Sequence, residues 1–429
     1  MVSLSVFADK PSYDGPVRAE ECRVREGIGH IMDKIRAGQP IKIAYFGGSI
    51  TEMDGWRRLS REWLQKKYPA CKFGEVQAAI GGTDSGLGVF RLGRDVLRHR
   101  PDLIFVEFAE NDADLSPEAI WSNFDGIVRQ VWKTDPTIDI VFVYTVDERM
   151  MKEYGEGLCP RSASSMERIA DHYGIPSIGF GPRIAAELKA GRLVMSVGDI
   201  STAVPKETPR RDQAINAELK KQGKFLFSKD GVHPVLSGHR LYLESIKAAW
   251  AKMEKSQPTD HTKKLATPFY DSRLELAKMV PIRQELCKGS WLPLSERTWM
   301  QRHLGGQGGQ IWWAREPGDK LSFKFRGSEC HLYDVIGPKC GRVWITVDGK
   351  RSDRPCDRFD SYCSYYRLAS FDVFKGGDGV HTVEVELDKE QPDRTQVLKS
   401  NPKADVKSEN YNGTMFYPCQ IQLVGDICE

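Results

Sequence analysis

The stretch Ile41-Lys-Ile-Ala-Tyr-Phe-Gly-Gly-Ser-Ile-Thr51 decides how this chain is read. Ile41 to Phe46 is a short apolar run that stops at two glycines and a serine, before a helix-compatible segment begins near Asp54. Such a run, bounded by turn residues, is the pattern of a buried parallel strand ending in a tight turn. Gly47 and Gly48 let the backbone turn sharply and put no Cβ in the way of an approaching ligand. Ser49 then stands at the carboxyl end of a strand, where open α/β sheets bind what they act on. A Gly-Gly-Ser turn on its own is common, so its meaning rests on the segments that follow.

Working outward, residues 18–37 carry Cys22, Ile28, Ile31, Met32 and Ile35 at helical spacing and end at Gly38 and Pro40, which predicts a helix leading into the first strand. After Ser49 the pattern predicts a helix over Trp56–Tyr68, a strand over Lys72–Ala79 ending in Ile80-Gly-Gly-Thr-Asp-Ser-Gly86, and a helix over Leu87–Arg98. A strand at Leu103–Phe108 runs into Ala109-Glu-Asn-Asp112, followed by a helix at Pro117–Lys133, a strand at Ile138–Tyr144, a helix at Ser162–Tyr173 and a strand at Ser177–Phe180. Strands alternating with helices predict a parallel sheet covered on both faces. From Val194 to Phe227 the chain is polar and basic, with Thr208-Pro-Arg-Arg-Asp212 and Lys220-Lys-Gln-Gly-Lys224, and reads as an exposed loop or lid bearing part of a helix. It lands on Asp230-Gly-Val-His-Pro234 and a helix over Ser237–Lys255.

Past a polar linker at 256–268 the period changes to two. Leu321-Ser-Phe-Lys-Phe-Arg326 and His381-Thr-Val-Glu-Val-Glu-Leu387 alternate, and Val343-Trp-Ile-Thr-Val347 precedes the hairpin-type turn Asp348-Gly349. Gly376-Gly-Asp-Gly379 reads as another turn, and Phe416–Val424 as a last strand. Short strands, glycine-rich turns and no long helix predict a β-sandwich or jelly roll. The expected organisation is an α/β domain over 1–255, the linker 256–268, and an all-β domain over 269–429.

At 429 residues two domains are expected. The net charge of +3 comes from 62 basic and 59 acidic residues, a balance that asks for neither nucleic acid nor an anionic membrane as partner. No stretch reaches the roughly 18–20 apolar residues of a membrane span. The first ten residues lack the basic leader and apolar core of an intact signal peptide; a secreted or periplasmic location is the expectation, with the leader absent from this sequence. None of the ten cysteines forms a Cys-x-x-Cys pair, so free thiols are expected, with room for a disulfide or two in the C-terminal half. The sequence implies no oligomeric state.

Four strand-end motifs belong together: Ser49 in Gly-Gly-Ser, Gly82 in Gly-Gly-Thr-Asp, Asn111 in Glu-Asn-Asp, and His233 in Asp-Gly-Val-His. The first three follow strands of one sheet, so their tips converge along its carboxyl edge, and the fourth precedes a helix that can reach it. A serine nucleophile needs a base, and the base needs an orienting carboxylate. His233 and Asp230, three residues earlier, supply both. Donors for an oxyanion are available at the N–H groups of Ser49 and Gly82 and the side chain of Asn111. Glu110, Asp112 and Thr83 stand beside these groups as possible substrate contacts.

On these residues the chain resembles the SGNH, or GDSL-type, hydrolases, whose four blocks hold Ser, Gly, Asn and His in that order. The resemblance covers about residues 40–255. It implies a flavodoxin-like three-layer α/β/α domain, serine ester hydrolysis, no metal and no cofactor. Two positions depart from the pattern: Gly48 stands where the family commonly has Asp, and Glu110 where it commonly has Gly. The wording Gly-Gly-Ser-Ile-Thr followed by Gly55-Trp-Arg57 resembles bacterial members that carry an extra β-domain and act on esterified carbohydrates.

Structural readings compete at several positions. Asn111 can be a helix N-cap, Asp230 a turn residue, and His239 a packing residue. Trp56, Trp121 and Trp132 suit a core. Trp312-Trp313 and the Tyr362–Tyr366 cluster suit either sugar stacking or the core of a sandwich, and Asn412-Gly-Thr414 matches a glycosylation triplet that arises often by chance. The expectation is a serine esterase removing O-acyl groups, acetyl foremost, from a carbohydrate or polysaccharide. The alternatives are a lipase or thioesterase, and a carbohydrate-binding protein with a silent hydrolase domain.

Overall fold

In the computed structural model, which describes residues 11–197, 211–399, 401 and 409–428, Ile41–Gly47 is an inner strand of a six-stranded sheet. The strands are β1 (Cys22–Arg23), β2 (Ile41–Gly47), β3 (Phe73–Gln77), β4 (Leu103–Glu107), β5 (Asp139–Tyr144) and β6 (Ser177–Gly179), in the order β1-β6-β5-β4-β2-β3. All pairs are parallel except β1 with β6, so β1 is an antiparallel edge. Numbered among themselves, the five parallel strands run 2-1-3-4-5, the flavodoxin-like order, and the direction of winding reverses between β2 and β4. That switch point sets the tips of β2 and β4 side by side.

Both faces of this sheet are covered. Ile43, Ala44, Tyr45 and Phe46 are all fully buried, as a strand between two helical layers requires. Trp56 wedges against the rings of Tyr45 and Phe105, at centroid distances of 5.4 and 5.8 Å. Trp121 and Trp132 are buried in the same way. Truncating a ring such as Trp56 costs about 3–5 kcal/mol.

The N-terminal segment differs from the helix expected over residues 18–37. Only Gly29–Arg36 is helical, and Cys22–Arg23 is the edge strand paired with Ser177 and Ile178. Arg25 (φ 45°) and Gly27 (φ 75°) turn the chain left-handed between the two, and a helix cannot pass through that backbone. A helix at Gly181–Lys189 was not anticipated. Part of the expected lid, Arg211–Lys221, is a helix, and Phe225–Leu226 pairs in parallel with Leu193–Val194. Thr208-Pro-Arg210 lies outside the described residues, as do the first ten residues.

The chain divides into compact units at Met1–Glu275 and Leu276–Glu429. The polar stretch after the last long helix, Leu236–Met253, packs within the first unit. The Asp125 carboxylate accepts the backbone N–H groups of Phe269 (3.0 Å), Tyr270 (2.5 Å) and Asp271 (3.0 Å). Phe269 meets the Trp121 ring at 5.5 Å, and Glu275 pairs with Arg129 at 2.8 Å.

The second unit is built on an antiparallel eight-stranded sheet whose main strands are Ala277–Pro281, Lys320–Ile336, Arg342–Val347, Arg367–Leu387 and Tyr417–Ile427. Leu321, Phe323 and Phe325 point into its core while Lys324 and Arg326 are exposed, the alternation read from the sequence. Asp348 (φ 51°) and Gly349 (φ 78°) make the hairpin turn. Gly376-Gly-Asp-Gly379 is not a turn between strands. It lies inside Arg367–Leu387, opposite Gly327, where the register slips. The unit also holds a ten-residue helix, Trp299–Gly308, that the pattern did not suggest. Trp312 is buried and donates to the Ile282 carbonyl, and Trp313 donates to the Met415 sulfur, so both serve the packing of this unit. Tyr362 and Tyr365 are exposed. All ten cysteines are free thiols. Among the described residues no helix is long and apolar enough to cross a membrane.

Candidate active site

The tips of β2 and β4 interlock because the turn after β2 carries no side chains. A Cβ on Gly47 would lie 2.4 Å from the Glu107 carbonyl oxygen, and one on Gly48 1.8 Å from Asn111 Oδ1. The Asn111 carboxamide therefore rests against the residue that precedes Ser49. The loop after β3 closes from the other side. Ile80 donates its N–H to the Gly47 carbonyl (3.0 Å), Gly81 donates to Glu52 Oε2 (2.9 Å), and a Cβ on Gly81 would sit 3.6 Å from the Ser49 Cβ. Gly82 follows at φ 70°, a conformation that favours glycine, beside open space. Ser49, Gly82 and Asn111 thus gather at one point of the sheet edge.

The fourth motif arrives from the opposite direction. Asp230 organises its own loop: Oδ1 accepts from the N–H of Val232 (3.0 Å), the N–H of His233 (2.8 Å) and the hydroxyl of Ser228 (2.9 Å). Its Oδ2 accepts from His233 Nδ1 at 2.8 Å, and His233 Nε2 lies 2.8 Å from Ser49 Oγ. With the proton fixed on Nδ1 by the carboxylate, Nε2 presents its lone pair to the hydroxyl. Burial pushes the Asp230 carboxyl up, but the bonds from His233, Val232 and Ser228 outweigh it and hold the group well below the usual carboxylate range. The loop is tied down where Glu148 N–H donates to the Gly231 carbonyl (2.8 Å). Hydroxyl, imidazole and carboxylate form a continuous chain of hydrogen bonds, the arrangement that activates a serine.

Two buried charges under this edge escaped the sequence reading. Arg91 is fully buried and donates to the carbonyls of Gly47 (2.9 Å) and Ala78 and to Thr83 Oγ1 (3.4 Å), with its guanidinium 4.5 Å from the Phe46 ring centroid. It ties the ends of β2 and β3 to the Gly82 loop. Glu107, at the tip of β4, accepts from the hydroxyls of Thr51 (2.7 Å) and Thr145 (2.5 Å). Burial pushes its carboxyl up to about 7, against those hydrogen bonds. A charged residue closing an otherwise apolar strand was the available signal for Glu107. Arg91 gave none, because Asp95 four residues on makes it look like half of a solvated pair.

The remaining expectations divide. Asn111 does not cap a helix: the next helix starts at Pro117, and Ser116 caps it by accepting from Ala119 N–H (3.2 Å). Glu110 lies near His233, with Arg149 3.4 Å from its carboxylate, and burial followed by the charge of Asp147 raises its pKa. Asp112 is fully buried, with Oδ1 accepting the Ser85 N–H (2.9 Å), and Thr83 donates to the Ile80 carbonyl (2.8 Å). Both are spent on the loops themselves, which removes them from the expected substrate contacts. His239 is buried against Gly55, where a Cβ would lie 2.2 Å from the ring, and it accepts the Trp56 N–H (3.3 Å), so its place is in packing. Beside His233 opens a cavity of about 340 Å³ lined by Met53, Asp54, Lys229, Pro234, Leu236 and His239 among others.

Residues 45–241 match the GDSL-like lipase/acylhydrolase family. Among curated proteins none matches the chain by sequence. Among solved structures, a two-domain esterase (CEX) active on acetylated mannans, co-crystallised with mannopentaose, is similar over 96% of this chain and 100% of its own, with a TM-score of 0.68 and 22% identity. A second structure of a two-domain esterase of that description gives 0.68 and 21%, over 95% of this chain and 99% of that one. An acetyl xylan esterase from Geobacillus stearothermophilus is similar over 51% of this chain and 96% of its own, at a TM-score of 0.34 and 16% identity.

Proposed function

We propose, from the match of residues 45–241 to the GDSL-like lipase/acylhydrolase family, that the chain is a serine esterase that removes O-acyl groups, acetyl foremost, from a carbohydrate. The observation that carries this reading is the unbroken relay from Ser49 Oγ through His233 to Asp230, with both contacts at 2.8 Å.

Ser49 Oγ attacks the ester carbonyl while His233 Nε2 takes its proton. The negative charge that develops on the carbonyl oxygen is met by the N–H groups of Ser49 and Gly82 and the carboxamide of Asn111. Losing one donor of this kind costs about 10²–10³ in turnover. The imidazolium, held in place by ionised Asp230, then gives the proton to the sugar oxygen as its bond to the acyl carbon breaks, and the sugar leaves with a free hydroxyl. A water molecule activated by the same imidazole releases the acid from the acyl-serine. Arg91 and Glu107 never touch the ester; they hold the loops that present these groups.

The substrate side rests on two supports. The cavity beside His233 mixes apolar Met53 and Leu236 with Asp54 and Lys229, a lining better suited to a hydroxylated ligand than to a long acyl chain. The two-unit organisation is shared along the full length of an esterase active on acetylated mannans, which makes acetylated mannan the first polysaccharide to offer. Acetate release from a panel of acetylated glycans, alongside p-nitrophenyl esters of increasing chain length, tests the proposal. Acetate liberated by the native chain and not by Ser49→Ala is the expected result. Preference for long acyl esters would redirect it to a lipase, and glycan retention without acetate release to a binding protein.

A further inference from the structure

At the amino edge of the parallel sheet, opposite the one that holds Ser49, three ligand-type side chains meet. Asp139 opens β5, His30 stands at the start of the helix Gly29–Arg36, and His261 begins the short helical turn His261–Ala266 after the last long helix. One donor atom from each residue lies within 4.8 Å of those of the other two. Asp139 and His261 are buried and His30 is half-buried.

How the other atoms of these side chains are used gives the cluster its meaning. His30 Nε2 lies 2.9 Å from the Thr259 carbonyl oxygen, and His261 Nδ1 lies 2.8 Å from that of Pro136. A carbonyl only accepts, so each of those nitrogens carries the proton, and the neutral rings keep their lone pairs at His30 Nδ1 and His261 Nε2. Asp139 Oδ2 accepts the Ile31 N–H at 2.8 Å. Pinning one ring nitrogen on a main-chain carbonyl is how proteins orient a histidine whose other nitrogen binds a metal. The His261 ring is further fixed by stacking on Trp132, with centroids 4.3 Å apart and planes within 12°.

We propose that His30, Asp139 and His261 bind a divalent transition-metal ion, zinc by the nature of the ligands, which staples residues 256–266 to the amino edge of the sheet. Two imidazoles and one carboxylate suit zinc, whereas calcium and magnesium take oxygen ligands almost throughout. The chain is already pressed together here: a Cβ on Gly29 would lie 2.0 Å from the Gln257 carbonyl carbon, and one on Gly27 1.8 Å from Ser256 Oγ. The ion cross-links three segments far apart in sequence and takes no part in ester chemistry, which occurs at the opposite ends of the strands.

The test is titration of chelator-stripped full-length protein with zinc chloride. One equivalent binds, and Tm rises with the logarithm of zinc concentration, by at least about 4 °C when zinc exceeds the dissociation constant about a hundredfold. His30→Gln and Asp139→Asn each abolish that rise, and His30→Gln, at a half-buried position, keeps the fold and Tm of the stripped native chain. Ester turnover is the same with and without zinc. Because ten thiols compete for the metal, cobalt(II) is loaded in parallel, and a nitrogen–oxygen site shows tetrahedral visible bands without a thiolate charge-transfer band. Failure to bind zinc, a thiolate band in the cobalt form, or undiminished binding by His30→Gln would overturn the proposal.

Discussion

In each of the two units, histidines are held by an aspartate at one and the same distance, and only one of those pairs meets the Ser49 hydroxyl. His233 with Asp230 belongs to the α/β unit, and His331 with Asp372 and His381 with Asp348 to the β unit; Nδ1 stands 2.8 Å from the carboxylate in all three. The difference lies at the far nitrogen. His233 Nε2 meets the Ser49 hydroxyl at 2.8 Å, whereas that of His331 meets the Glu329 carboxylate at 3.5 Å and that of His381 the Gly377 carbonyl at 3.1 Å. A hydroxyl can hand over a proton, while a carboxylate or a carbonyl can only receive one. His331 is accordingly drawn toward its charged form: burial lowers its pKa, but the bonds to Asp372 and Glu329 win and raise it. A His–Asp pair is thus a common structural unit, and its third partner decides whether it acts as a base or as half of an ion pair.

The sharpest way to break this distinction is to remove the hydroxyl. Ser49→Ala should lower p-nitrophenyl acetate turnover by about 10⁴-fold or more, while His331→Gln leaves turnover where it was; equal losses in the two variants would erase the difference. Next in size is the carboxylate. Asp230→Asn should reduce turnover by about 10²–10⁴-fold with KM little changed, because the amide no longer fixes the proton on Nδ1, and Asp372→Asn should leave turnover intact.

Glu107 sharpens the comparison with a carboxyl whose partners are hydroxyls. Its pKa stands at about 7 in the fold against the ordinary 4.5. Between those values the folded chain holds a proton that the unfolded chain has released, so stability from this group falls as pH rises across the window. The Tm of Glu107→Gln relative to the native chain should therefore climb from about pH 4.5 to 7 and then level off. Parallel Tm curves for the two proteins would rule this out.

The smallest effect belongs to Asp372, whose side chain is 66% exposed and hence well screened. Its carboxyl is held below the usual range, first by the hydrogen bond from His331, and His331 is raised. The pair's contribution is present from about pH 4 to 6.5. It is lost as pH falls through the lowered Asp372 value or rises through the raised His331 value. Asp372→Asn should lower Tm slightly within that window and less on either side of it, as thermal melts across pH would register.

The edge that carries Ser49 was readable because three of its four motifs mark strand ends with glycine or a short polar residue, and strand ends converge whichever helices cover the sheet. What stayed hidden depends on partners distant in sequence. Gly376-Gly-Asp-Gly379 looks like any hairpin turn until Gly327 is placed opposite it as a slip in register. The helix Trp299–Gly308 carries Gly305, Gly306 and Gly308, which argue locally against it, yet Gly308 packs against Leu368 and Cys419. The linker 256–268 is polar in most of its side chains, and the chain just beyond it is anchored in part by main-chain N–H groups given to Asp125. Side-chain polarity cannot report such bonds.

The close approach of Asn111 to Gly48 limits which residues can stand before the serine. Gly48 adopts an extended backbone (φ −94°, ψ −156°) that any residue can take, so the obstacle to a side chain there is the carboxamide oxygen 1.8 Å from the place of its first carbon. The acidic residue common at this position among the hydrolases that the chain resembles cannot be restored here by one substitution while the asparagine keeps its place. The two positions are sterically coupled: any side chain before the serine requires the Asn111 carboxamide to turn away from it.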